Sequence, residues 1–271
     1  MRRPMPSFTP RGDGSFLLVL AKRGAIDAAL PNVSFPDNAP EILVPLRCEY
    51  TARGKEYTLP RGCAQLLSNL GLRPRFLLPG LHRPSAYPNA TGALYLGGAD
   101  LDPVLYGARQ HPKTEPTELA RDALEITLLH ERILPQRMPF FGICRGIQAL
   151  AVGAGGTLHQ HIPDVDVTYD HAGTATSDAT HRVETAPGSR CATLLGNSVV
   201  TNSHHHQAVA TPGYGMRIAG RTPDGIVELL EATDPAHWCV ATQSHPERDV
   251  RDDLAPLLSD FLAAVHSRHN V

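Results

Sequence analysis

The chain has 271 residues, of which 42% are hydrophobic and 19% charged, and a formal net charge of −2. These values describe a globular chain able to bury a substantial core, in one domain or slightly more, and exclude wholesale disorder. They leave no basic surplus to suggest nucleic acid, and no apolar run reaches the length of a membrane span.

Met1-Arg2-Arg3-Pro4 is followed by prolines and Asp13 before apolar residues gather, which does not read as a signal peptide. The apolar run from Ser15 to Ala21 reads as a first strand. From Arg23 to Gly54, Pro, Asn and Gly recur without periodicity. That stretch is expected to be an insertion or active-site flap within a single domain spanning 1–271. Beyond Leu59 the pattern turns helical, with Cys63, Leu66, Leu67 and Leu70 on one face and Gly71 as a stop. Strands are predicted at Arg75–Leu78 and Ala93–Leu96, and a helix from Glu118 to about Arg132.

An apolar run, Pro139-Phe140-Phe141, then reaches a cysteine between two glycines, Gly142-Ile143-Cys144-Arg145-Gly146. Helix periodicity follows through Ile147, Leu150 and Ala151. Alternating strands and helices predict an α/β fold with a doubly wound, mostly parallel sheet flanked by helices. Short strands near 183–184, 198–201, 216–219 and 227–230 suggest a small antiparallel layer on one flank. A last strand at 239–244 and a helix from Leu254 to His266 close the chain. Five scattered cysteines (48, 63, 144, 191 and 239), odd in number and without a CxxC pair, suggest a reducing, cytoplasmic compartment.

Cys144 is predicted at a sharp turn from strand to helix, facing the positive end of a helix dipole and free backbone N–H groups. That is the geometry of a nucleophile elbow with Cys in the Ser position; the competing reading is a buried structural cysteine. A nucleophile needs a base and an orienter. Of 14 histidines, His245 is favoured, because in an extended His245-Pro246-Glu247 segment Glu247 falls on the same side as the imidazole. Gly97-Gly98, after a predicted strand, could turn N–H groups toward an oxyanion, with the N–H of Arg145 as the second donor. Either short motif alone also fits an ordinary loop. His204, His205 and His206 are consecutive, so a strand would send them to alternate sides, away from any one ion. His159 and His161 could share a face, but the set lacks the spacing of a known zinc site.

Together these stretches resemble class I glutamine amidotransferase-like proteins, most closely the gamma-glutamyl-gamma-aminobutyrate hydrolase family of cysteine hydrolases (peptidase C26-like). Residues 97–107 resemble its GGxDxxPxxYG signature, and Arg121-Asp122 with Glu125 its RDxxE. Phe141 to Gln148 covers GICRGxQ, 155–160 GGTLxQ, 202–207 NSxHHQ, 224–228 DGxxE and 243–247 QxHPE. The likeness runs from about residue 57 to 248.

The resemblance implies a flavodoxin-like sheet and cleavage of a gamma-glutamyl amide through a Cys144 thioester, in amine or polyamine catabolism. His245 would act as base and acid, Glu247 as orienter, and Gly98 and Arg145 as oxyanion donors. Gly97, Gln148, Asn202, Ser203 and His205 would line the substrate pocket. No metal or organic cofactor is implied. The expected partner is a small-molecule gamma-glutamyl substrate, with no nucleic acid and no membrane; a homodimer stays open.

Ser244 stands where a bulky aromatic is usual, which predicts a pocket beside His245 that is either wider or lined from elsewhere. Ala151 and His161 replace the usual Asn and Asp. Two other functions compete with the hydrolase: a glutaminase subunit feeding ammonia to a separate synthase chain, and a non-catalytic scaffold that keeps the fold.

Overall fold

The computed structural model describes residues 7–10, 16–19, 35–51, 54–174, 176–248 and 253–270. In chain order the elements begin with β1 (Ser7–Pro10), β2 (Phe16–Val19), β3 (Glu41–Pro45), β4 (Arg47–Thr51), β5 (Gly54–Leu59), α1 (Arg61–Leu70), β6 (Arg73–Leu77) and β7 (Gly92–Tyr95). Then come α2 (Leu119–Leu128), continued by a π turn over Leu129–Ile133, β8 (Phe140–Ile143), α3 (Arg145–Gly153) and β9 (Thr157–His159). The remainder is β10 (Ala179–Thr185), α4 (Arg190–Leu195), β11 (Ser198–Ser203), β12 (Ala208–Thr211), β13 (Met216–Arg221), β14 (Val227–Ala232), β15 (Cys239–Thr242) and α5 (Ala255–His269).

The parallel core runs β6-β3-β7-β8-β15. This second-first-third-fourth-fifth order is that of flavodoxin-like folds. Its strands are apolar on both faces because both faces are covered. Along β3, Ile42 and Val44 pack on one side and Leu43 on the other; along β8, Phe141 and Phe140 divide likewise. The first side is roofed by α1 and α5, through Leu66, Leu67, Leu257 and Phe261. The second is roofed by α2 and α3, through Leu124, Leu128, Ile147 and Leu150. The helix α1 buries the four residues its periodicity picks out, and Gly71 ends it at φ 64°.

The antiparallel strands lie on one flank as expected and continue the same sheet: β14, β13, β10 and β11 extend it beyond β15, with β12 and β9 branching from β14, to make eleven strands. The 23–54 stretch is not wholly an insertion. Residues 23–34 lie outside the described residues, but β3 is a core strand between β7 and β6. In turn the strand expected at 15–21 belongs to a second sheet, four-stranded and antiparallel, in the order β1-β2-β5-β4. Among the described residues no helix is long and apolar enough to cross a membrane. All five cysteines are buried, and none is joined in a disulfide.

Candidate active site

Three neighbouring parallel strands, β7, β8 and β15, each lead into one part of the site beyond their carboxyl ends, where open α/β sheets hold ligands. After β8, Cys144 takes φ 51° and ψ −103°. This is a strained conformation for a residue with a side chain, and it turns the strand abruptly into α3. The Cys144 N–H donates to the Thr242 carbonyl at 2.8 Å, which ties the bend to β15. The flanking glycines serve a different purpose from the strained angles their type suggests. A Cβ on Gly142 would lie 2.9 Å from the Ala241 Cβ, and one on Gly146 2.8 Å from the Tyr95 carbonyl oxygen. They let α3 sit close on the sheet, while the strain rests on Cys144 itself.

After β15, His245 is only 4% exposed, and its Nδ1 lies 2.6 Å from Glu247 Oε1. A carboxylate only accepts, so Nδ1 carries the proton and the neutral ring keeps its lone pair on Nε2. Nε2 is buried and has no hydrogen-bond partner. Burial pushes the His245 pKa down, but the charges of Glu247 and Cys144 overcome it and hold it well above the ordinary value. Burial likewise opposes ionisation of Glu247, and His245 outweighs it, so that carboxyl titrates below its usual range. Gly97 lies against both reactive side chains. A Cβ there would be 3.2 Å from His245 Cε1 and 3.7 Å from Cys144 Cβ. Gln243 Nε2 approaches the Cys144 sulfur at 3.5 Å.

After β7, the Gly97-Gly98 loop is held from beneath by Arg121, wholly buried on α2. Its guanidinium donates to the carbonyls of Leu96 at 2.7 Å and Gly97 at 3.2 Å, and to Glu125 at 2.7 Å. Arg145, on the elbow helix, pairs with Asp122 and Glu125. One buried network of two arginines and two carboxylates therefore joins the glycine loop to the elbow. The RDxxE residues, to which the sequence assigned no task, supply three of its members. Gly98 has no room for a side chain, since its Cβ would fall 2.3 Å from Arg121 Nη1. As the first residue of α3, Arg145 has an N–H without an intrahelical partner.

Cys144 and Gly98 line two adjoining cavities. One, of about 360 Å³, is walled by Asp100, Glu115, Gln148, the 172–174 segment and residues 204–207. The other, of about 290 Å³, holds Gly97, His245 and Glu247, with Arg47, Cys63 and Arg248 on its walls. Of the residues expected to meet substrate, Gly97, Gln148 and His205 reach a cavity wall. Asn202 and Ser203 do not line either cavity. Asn202 is bonded to the His245 backbone, and Ser203 Oγ donates to the His171 carbonyl at 2.7 Å. Ser244 does not widen the pocket either. It is buried on the opposite side of the extended segment, with its Oγ 2.6 Å from Thr242 Oγ1. Ala151 is packed into the core beneath α3, and His161 stacks on His111 at 5.5 Å.

Sequence reasoning missed Asp100, which gathers one rim of the larger cavity. Its carboxylate accepts from the Glu115 N–H and from Gln207 Nε2, both at 2.8 Å, and meets His206 Nε2 at 3.1 Å. The residue stood inside a quoted motif, so its position was visible and its task was not. A thiol, an imidazole fixed in one tautomer by a buried carboxylate, and unpartnered amides beside them form a set suited to acyl transfer.

The sequence profile of the Peptidase C26 family matches residues 58–247, well over half of the chain. The chain is 42% identical over 161 residues to a Mycobacterium tuberculosis protein with a provisional glutamine amidotransferase name, covering 58% of this chain but only 50% of that one. Protein NtpR of Enterococcus hirae is 38% identical over 167 residues, covering 60% of this chain and 70% of the relative. The gamma-glutamyl-gamma-aminobutyrate hydrolase PuuD of Escherichia coli strain K12 is 29% identical over 171 residues, covering 57% and 63%. Among solved structures, a Thermoplasma acidophilum protein provisionally described as one component of a GMP synthase superposes with a TM-score of 0.59 at 15% identity, covering 86% of this chain and 96% of that one. A glutamine amidotransferase from Thermotoga maritima gives 0.55 at 16%, covering 85% and 97%. At those identities the likeness speaks for the fold.

Proposed function

Because the chain belongs to the Peptidase C26 family, we propose that it is an amidohydrolase that cleaves the gamma-glutamyl amide bond of a gamma-glutamylated amine or amino acid. The observation that carries this reading is the His245 ring, locked to Glu247 through Nδ1 and coupled to the Cys144 side chain in the same cavity. In the reaction His245 Nε2 takes the Cys144 thiol proton, the sulfur attacks the gamma-carbonyl carbon, and the oxyanion forms against the N–H groups of Gly98 and Arg145. The C–N bond breaks as His245 passes its proton to the leaving amine. Water, deprotonated by His245, then attacks the thioester and releases glutamate and the thiol.

The proton must reach the leaving nitrogen, so the amine half belongs in the cavity that holds His245, and the glutamyl half in the one beside Gln148. The second cavity offers Asp100 and Glu115 to an α-ammonium and Gln148 to an α-carboxylate. A second reading is favoured by the amidotransferase names of several relatives: glutaminase activity that hands ammonia to a separate synthase chain.

Intact-mass analysis after mixing with a panel of gamma-glutamyl amines and with glutamine tests both. The hydrolase reading expects a glutamyl adduct on Cys144 and steady turnover of gamma-glutamyl amines by the isolated chain. Acylation by glutamine alone would favour the second reading. Unchanged turnover in Cys144→Ala would overturn both.

A further inference from the structure

Away from the thiol, four side chains that the acyl-transfer mechanism does not need converge on one point inside the protein. They come from separate elements: His171 from the loop before β10, His181 from β10, His205 from the turn after β11, and Glu228 from β14. All four are more than nine-tenths buried, and Glu228 is 1% exposed. Glu228 Oε1 lies 3.4 Å from His181 Nε2, 3.4 Å from His205 Nε2 and 3.6 Å from His171 Nδ1. One ligand atom from each of His171, His181 and Glu228 falls within 4.8 Å of the others.

None of those facing atoms has a hydrogen-bond partner. Buried polar groups are ordinarily satisfied, and leaving one bare costs about 1–3 kcal/mol, so a cluster of them calls for an occupant. The tautomers sharpen the point. His171 Nε2 faces Asp224 Oδ2 at 3.3 Å, and His205 Nδ1 faces the Gln207 carbonyl at 2.9 Å. Both partners only accept, so each ring spends its single N–H there and turns a lone pair toward the Glu228 carboxylate. Lone pairs opposed to a carboxylate repel unless a cation stands between them. The distances from Glu228 to His181 and His171, 3.4 and 3.6 Å, match the edge of a tetrahedron of ligands held about 2.1 Å from a zinc ion, which is about 3.4 Å.

We infer that His171, His181 and Glu228 form a buried structural site for a zinc-class divalent ion, with His205 standing beside the carboxylate. The Asp224 carboxylate behind His171 fits the arrangement in which an outer acceptor fixes a ligating imidazole. Sequence spacing directs attention only to residues 159, 161 and 204–206. The structure draws the three ligands from a loop and two strands outside that histidine run. The ion takes no part in the thioester chemistry. It fastens the segment carrying His171, whose next residues, Ala172 to Thr174, wall the cavity beside Cys144.

The test uses the full chain, untagged, stripped with a chelator and titrated with Zn²⁺ alone. The expected result is one equivalent of zinc retained through desalting, a raised melting temperature, and retention unchanged in Cys144→Ala, which removes the thiol as a rival ligand. Glu228→Gln is expected to lose retention. Should that variant not fold, X-ray absorption on the zinc-loaded wild-type chain decides, with a shell of nitrogen and oxygen only as the supporting result. No retained zinc, a sulfur-containing shell, or full retention by a folded Glu228→Gln overturns the site.

Discussion

Asn202 grips His245 by both ends of its backbone: its Oδ1 accepts from the His245 N–H at 2.8 Å, and its Nδ2 donates to the His245 carbonyl at 2.8 Å. Among the described residues no other side chain bonds both of these backbone groups, and β11 carries Asn202 to them from across the antiparallel extension. Asn202 is therefore a positioning residue. Asn202→Ala should lower kcat by at least about tenfold through a misplaced imidazole, with a smaller change in KM. The check is steady-state kinetics on whichever gamma-glutamyl amine acylates Cys144; a variant with the wild-type kcat would remove the clamp from the mechanism.

Gly98 is pressed against Arg121 Nη1 at 2.3 Å and Arg145 Cδ at 3.2 Å, counted from the Cβ it lacks. Arg121 cannot swing clear, because two backbone carbonyls and Glu125 hold it. Gly98→Ala should thus displace the loop and its N–H, cutting kcat by about a hundredfold, the usual loss for one oxyanion donor. Stopped-flow acylation rates would show it, and an acylation rate within a factor of two of wild type, about 0.4 kcal/mol, would refute the placement.

Arg145→Met breaks the buried network at its centre. Burial alone raises the Asp122 pKa, and Arg145 opposes that rise. Without Arg145, Asp122 loses its pairing and Glu125 keeps only Arg121. The expected loss is about 3–5 kcal/mol of unfolding free energy, the range for an uncompensated buried charge. Urea denaturation measures it; a loss below about 1 kcal/mol would place the pair in the class of surface bridges instead.

The His245–Glu247 pair carries a pH signature. In the folded chain the His245 pKa stands well above 6.5 and that of Glu247 below 4.5, while the unfolded chain returns both to those ordinary values. The contribution from His245 is complete below 6.5 and fades as pH rises through its elevated folded pKa. The contribution from Glu247 is present above 4.5 and fades as pH falls through its depressed one. Cys144, His204 at 6.5 Å between ring centres and Arg248 at 4.0 Å from Glu247 also face the pair, and all remain in the variant. The stability difference between wild type and Glu247→Gln should therefore peak between pH 4.5 and 6.5 and shrink on either side. Urea midpoints across that range check it, and a difference independent of pH would contradict the pairing.

The parallel core and the elbow were legible because their residues announce themselves locally. Phe140-Phe141 is a continuous apolar run, Gly142 and Gly146 bracket Cys144, and Glu247 stands two residues from His245 in an extended segment. What stayed hidden depended on contacts across the chain. Glu41–Pro45 is five residues long and lies between prolines in a stretch without period, so only its pairing with β6 and β7 shows it to be a core strand. The hydrogen bonds of Asn202 go to backbone groups 43 residues away, which leaves no trace in local pattern. Ser244 misled because its neighbour suggested exposure to the site, whereas strand alternation turns it away.

In the proposed hydrolysis, the two cavities that meet at Cys144 would divide the substrate between chambers with one shared wall. Every substrate with the same glutamyl half would then converge on one thioester, whatever amine has left. Where hydrolysis of that thioester limits turnover, all such substrates share a single kcat, and preference among amines is expressed wholly in kcat/KM.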